Sequence, residues 1–249
     1  MTTGLSYNGL VAGTTSYPAQ IAELTVVAVN DPNFVVILPQ AITYAENRIY
    51  RDLDLLSTVK RSASYSVTAG NRNLTVPAAD FVTIQEVNVI LPAGTTVADN
   101  GVRSALLPTT KEFLNVVYGS VSNSAVPEYF AMIDQSNMVV GPWPNNTYTV
   151  EITGTFRPAS LGDGTNTTEN TTFISLYLPD IFIMASMIYI SGYQRNFGRQ
   201  SDDPQMAQSY ESQYQTLLGG AMIEEARKKF QAAAWTSMSP ARIASPTRG

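Results

Sequence analysis

The sequence predicts an α+β fold, with an antiparallel helical bundle drawn from both chain ends, an inserted antiparallel β module and a flexible C-terminal arm. Three observations predict it. Apolar residues recur at steps of three and four before residue 60 and after residue 173. Between these stretches they alternate at steps of two. The chain then closes on a basic segment containing Pro240 and Pro246.

Residues 1–16, rich in Gly, Thr and Ser, read as an irregular lead-in. A short helix is expected from Tyr17-Pro18 to about Val29, with Ile21, Leu24 and Ala28 on one face. Asn30-Asp31-Pro32 supplies an N-cap and a first-turn proline for a second helix. Its apolar stripe is Phe34, Leu38, Ala41, Ile42, Ala45, Ile49, Leu53 and Leu56, with Glu46, Arg48, Arg51 and Asp52 on the other side. Pro39 predicts a kink or a restart near Leu38, because proline lacks the N–H that a helix interior needs.

The period changes near Ser62. Ser64–Thr68 and Asn73–Val76 alternate around Ala69-Gly70-Asn71, which predicts a hairpin, and Phe81–Ile90 predicts a third strand. Thr110–Val117 reads as a short helix against this sheet. Glu128–Asp134, Asn137–Val140 and Thr147–Phe156 read as a meander, turning at Gln135-Ser136 and at Gly141-Pro142-Trp143-Pro144-Asn145-Asn146. Polar residues 162–172 predict a mobile loop.

Phe173–Phe197 predicts a further helix. Its first part, Phe173–Tyr193, has membrane-spanning length with Asp180 its only charge. The internal carboxylate, the adjoining Pro179 and the lack of basic anchors on its N-terminal side favour a helix buried within a bundle over a membrane span. Asp202-Asp203-Pro204 caps a last long helix whose buried stripe is Met206, Tyr210, Tyr214, Leu217, Leu218, Ala221, Met222 and Ala226. The expected divisions are a helical bundle of 17–60 with 173–235, a β module of 61–160, a mobile loop of 161–172 and an arm of 236–249.

Composition narrows the function classes. Charged residues make up only 14% of the 249, against about 25% in an average globular protein. Neutral Thr, Ser and Asn surface costs little to desolvate, which suits a chain that packs against copies of itself. With no Cys and no His, disulfides, thiolate zinc sites and imidazole bases are excluded. A catalytic mechanism would have to run on carboxylates, Lys or Tyr, so no enzyme is expected. The start, Met1-Thr2-Thr3-Gly4, has neither a basic nor an apolar leader region, and no signal peptide is expected.

Phosphate-loop, dinucleotide, zinc-protease and EF-hand patterns are missing, and no cofactor or metal is expected. Asp163, Asn166 and Glu169 are spaced unlike a calcium loop. Asp52 and Asp54 would face different directions on a helix. The stiff Pro142-Trp143-Pro144 turn reads as a hairpin tip and a candidate subunit or tail contact.

Charge is split along the chain. From Ala226 onward there are basic residues only: Arg227, Lys228, Lys229, Arg242 and Arg248. The body before them is acidic, and the whole chain carries −5. The basic end can simply complement a helix C-terminus. Alternatively it is an arm that docks on a neighbour, with Trp235, Met238 and Ile243 as apolar anchors beside the arginines.

Three segments in order resemble the head-to-tail adaptor (connector) family of tailed bacteriophages, over about residues 17–235. They are Ala41–Leu53 (AITYAENRIYRDL), then Met138–Pro144 with the strand to Phe156-Arg157-Pro158, then Leu176–Gly192 leading through Asp202–Ala207 into the long helix to Arg227. The resemblance implies a structural virion protein at the head–tail junction, assembled in the host cytoplasm. It implies a ring, generally a homo-dodecamer, beneath the portal protein, continuing the DNA channel and meeting a downstream tail or nozzle protein. DNA would pass without sequence-specific binding, and no membrane is involved. Residues 226–249 would be the portal-docking arm. Two rivals are a carbohydrate- or receptor-binding module on the β insertion, which predicts Trp143, Tyr148 and Tyr129 exposed in one patch, and a carboxylate-only cell-wall hydrolase.

Overall fold

The structure, a computed structural model, describes residues 5–7, 16–161, 171–195 and 206–233. Among them the chain is mixed α+β. In chain order the elements are α1 (Tyr17–Leu24), α2 (Pro32–Asp52), β1 (Val59–Val67), β2 (Asn73–Thr75), β3 (Thr83–Leu91), β4 (Val102–Ala105), β5 (Leu107–Pro108) and α3 (Lys111–Val117). They continue as β6 (Ser124–Ala125), β7 (Tyr129–Met132), β8 (Asn137–Gly141), β9 (Trp143–Pro144), β10 (Tyr148–Thr155), α4 (Phe173–Tyr177), α5 (Pro179–Arg195) and α6 (Met206–Ala233). The chain divides into two compact units, Met1–Leu56 with Pro158–Gly249, and Ser57–Arg157.

In the helical unit, Asp31 caps α2 by accepting from the Asn33 and Phe34 N–H groups. The expected stripe from Phe34 to Leu53 is buried, whereas Leu56 is exposed and Leu55 takes the interior place. α2 runs through Pro39 without a restart. Burial of Leu38, Ala41 and Ile42 on both sides of the proline outweighs its missing hydrogen bond, which costs about 3 kcal/mol in an exposed helix. α1 stops at Leu24, short of Val29. The Thr25 hydroxyl turns back to the Ile21 and Ala22 carbonyls, and Val26 takes a positive φ of 53°. Leu24 is consequently exposed.

The expected Phe173–Phe197 helix is two helices. Leu178 closes α4, and Pro179 opens α5 where its absent N–H costs nothing. Thr172 and Ser175 form a reciprocal capping box at the start of α4. α5 lies beside α2, where the Tyr189 hydroxyl donates to Gln40 at 2.9 Å and its ring lies 5.1 Å from that of Tyr44. α6 runs in the direction of α2, because Arg48, Asp52 and Leu56 meet Glu211, Tyr214 and Glu225 in that order. Tyr17 lies fully buried, stacked on Phe182 at 4.6 Å and donating to the Ser186 hydroxyl at 2.6 Å. No helix of the described residues is long and apolar enough to cross a membrane.

The β unit holds two four-stranded sheets, ordered β1-β10-β3-β4 and β2-β8-β7-β5. β5 pairs with β7 in parallel, as does β6 with β9; the other ladders are antiparallel. One core draws on both sheets, with Val67, Val87, Val89 and Ile152 from the first and Leu74, Met138 and Val140 from the second. The expected hairpin of residues 64–76 does not form. β1 pairs with β10 and β2 with β8, because Val67 and Leu74 bury in that shared core from different sheets. The meander is likewise divided, with β7 and β8 a hairpin and β10 in the other sheet. On the outer face of β7 and β8, Leu114 of α3 packs with Ala131 and Val139. Gly141 permits this docking, since a Cβ there would stand 2.7 Å from a Leu114 methyl.

Candidate functional site

The first surface to consider is the last part of α6, where the basic segment begins. Glu225 is 4% exposed and accepts from the Leu56 N–H at 3.0 Å and from Lys228 Nζ at 2.7 Å. Lys228 also meets Glu224 at 2.8 Å and lies 5.4 Å from the centre of the Phe173 ring. Partial burial works against its charge, but the Glu224 and Glu225 hydrogen bonds prevail and hold its pKa above the ordinary lysine value. Lys229 is paired with Asp54.

Earlier on the same seam, Arg48 donates to Glu211 at 2.5 Å and lies 4.3 Å over the Tyr214 ring. Its hydrogen bond holds the Glu211 carboxyl below the usual carboxylate range. Burial, then donation to Asp52 at 2.7 Å, pushes the Tyr214 hydroxyl up. Lys228 and Lys229 are therefore engaged in seating α6 on its own unit. Of the three basic residues expected to begin an arm, Arg227 is the exposed one without an ion pair among the described residues. Trp235, Met238, Arg242, Ile243 and Arg248 lie outside the described residues, as do Asp202-Asp203-Pro204 and the loop set Asp163, Asn166 and Glu169.

The Pro142-Trp143-Pro144 segment is not a protruding tip. Pro142 and Pro144 are buried, and Trp143-Pro144 is β9, paired with β6. The Trp143 indole donates to the Tyr118 carbonyl at 2.7 Å and carries the Arg72 guanidinium 4.9 Å from its ring centre. The exposed turn is Asn145-Asn146-Thr147. Ladder pairing draws the prolines inward, leaving half-buried Trp143 as the part of this segment with area for a partner. The aromatic patch required by the receptor-binding rival is also missing. Tyr148 is buried with its hydroxyl on Asn145, and Tyr129 is half-covered by Phe113 and Tyr118.

Three buried carboxylates were not singled out by sequence reasoning. Glu46, expected on the polar side of α2, is buried and accepts from the Leu161 N–H at 2.8 Å, tying the returning chain to this helix. Glu225 holds the departing chain at Leu56, and Glu151 is held in the β unit by Arg103 Nε and Nη2 at 2.8 and 3.0 Å. A signal existed for two of them. Glu46 falls at stripe spacing between Ile42 and Ile49, and Glu225 falls four residues after Ala221. Each of the three already accepts from a backbone N–H or a cation, which makes them structural anchors.

Two surfaces remain open in the helical unit. A groove of about 690 Å³ runs along α2 beside α5, lined by Gln40, Tyr44, Asn47, Arg51 and Tyr189 among others. On α6, Met222, Ile223 and Phe230 are exposed. A family model described as SU10 adaptor protein matches residues 18–244. The chain belongs to this phage head-to-tail adaptor family. The match spans both units, so the helical unit and the β unit are parts of one adaptor, a structural phage protein whose family points to portal and tail proteins as neighbours. No curated protein matches the chain.

Proposed function

We propose that this adaptor forms a homo-oligomeric ring, a dodecamer, that joins the portal to the tail and continues the DNA channel. The match across residues 18–244 is the observation that carries this reading. In it, both chain ends build the helical bundle, and the inserted β module of 61–160 offers a platform to a downstream tail or nozzle protein. The arm of 236–249 docks into the portal through Trp235, Met238, Arg242, Ile243 and Arg248, with Arg227 at its root. The charge split supports the arm, because a basic end on an acidic body is drawn to acidic portal surface and away from its own. The same acidic body lets DNA pass without adhering. Engagement of Lys228 and Lys229 supports an arm that starts beyond them.

Many weak arm contacts around a ring add to an avid whole. Deleting 236–249 is expected to leave the circular dichroism spectrum and melting temperature unchanged and to abolish co-sedimentation with portal rings. Normal attachment by the truncated protein would overturn the docking role.

A further inference from the structure

α6 has two apolar faces, and its own unit uses one of them. Tyr214, Leu218 and Ala221 lie in the core. On the other side Gly219, Ile223, Ala226 and Phe230 recur at steps of four, three and four, the spacing of a helix-packing seam. All four are exposed, Ile223 at 57% and Phe230 at 63%. A Cβ added at Gly219 would meet nothing within 4 Å, so another helix can approach closely there. The stripe is about 17 Å long.

The α2–α5 groove repeats the pattern. Gln40, Tyr44, Asn47 and Arg51 follow the same four-three-four steps along its wall, over the same length of about 17 Å. No α6 residue lines it. Stripe and groove are thus different surfaces, and a contact between them joins copies head to tail, the geometry that builds a ring when its rotation closes. Charge agrees with the match. Arg51 is exposed in the groove with no ion pair among the described residues, and Glu224, which shares Lys228 with Glu225, still has 57% of its side chain exposed beside the stripe.

We infer that the α6 stripe of one copy packs into the α2–α5 groove of the next. This rests on the ring reading above and names the faces that build it. The chain has no cysteine, so engineered thiols report without background. Full-length Thr43→Cys and Ile223→Cys proteins, mixed, assembled and treated with a short bis-maleimide, are expected to give a covalent dimer. Ser66→Cys mixed with Ile223→Cys, the control in the β unit, is expected to give none. In a second arm, Ile223→Asp with Phe230→Asp is expected to keep its circular dichroism spectrum and lower the ring fraction in mass photometry by about tenfold or more, since two apolar side chains lose their burial. Rings that assemble without the Thr43–Ile223 cross-link above control, or that tolerate the double Asp variant, overturn the interface and leave the ring reading standing. A chain that stays monomeric both alone and on portal rings overturns both.

Discussion

The two units are held together in different ways. In the helical unit the polar anchors join the first part of the chain to the last: Tyr17 to Ser186, Glu46 to Leu161, Arg48 to Glu211, and Leu56 to Glu225. In the β unit every ladder closes within residues 59–155, and its buried carboxylate, Glu151, finds its arginines on β1 and β4. The helical unit therefore depends on both chain ends being present and docked, whereas the β unit is self-contained.

The largest expected effect comes from emptying one core while leaving the other intact. Phe182→Ala is expected to destabilise the helical unit by about 3–5 kcal/mol. Amide exchange should rise in α2, α5 and α6 and stay unchanged in β3 and β10. Ile152→Ala is the mirror case, at about 2–5 kcal/mol. Equal loss of protection in both units for either variant would show one cooperative block. A smaller cost is expected for Glu46→Ala, which leaves the Leu161 N–H buried without its acceptor, about 1–3 kcal/mol. Its melting temperature should fall, with the β unit again unaffected in exchange.

The smallest effects come from pH. Glu211 has its folded pKa lowered by Arg48. The stability from this pair is therefore complete above the unfolded glutamate value, near pH 4.3, and is lost as pH falls through the lower folded value. Tyr214 and Lys228 are shifted upward, and there is no histidine. Urea melts are expected to give the same midpoint at pH 6 and pH 8 and a lower one below about pH 4. A midpoint that moves between pH 6 and pH 8 would contradict this.

Periodicity made the helices readable because one face of each is buried in its own chain. The stripe Phe34–Leu53 and the Asp31 cap are where spacing puts them. Proline was read by its local preference at Pro39, yet packing of the neighbouring Leu38, Ala41 and Ile42 decides there. At Pro179 the local preference prevailed, since a helix can begin at that residue. Strand positions were largely readable from alternation, but strand partners were not. Val67 and Leu74 point into one core from two sheets, and nothing within residues 64–76 distinguishes that from a hairpin. Local preference reads Pro142-Trp143-Pro144 as an exposed stiff turn, yet both prolines are buried, because Trp143-Pro144 is drawn into a ladder with β6 that local sequence does not reveal. The engagement of Lys229 depended on Asp54, a group that only the fold brings near, whereas Glu224 and Glu225 stand one helical turn before Lys228 and were within reach of sequence reading.

The anchoring of α2 to residues 161, 211 and 214 has a consequence during synthesis. A ribosome delivers α1 and α2 first, then the whole β unit, and only afterwards the segments that cover the α2 stripe. Phe34, Leu38 and Ile42 must wait uncovered while the β strands emerge and pair, which leaves apolar surface of this helix open on the newborn chain.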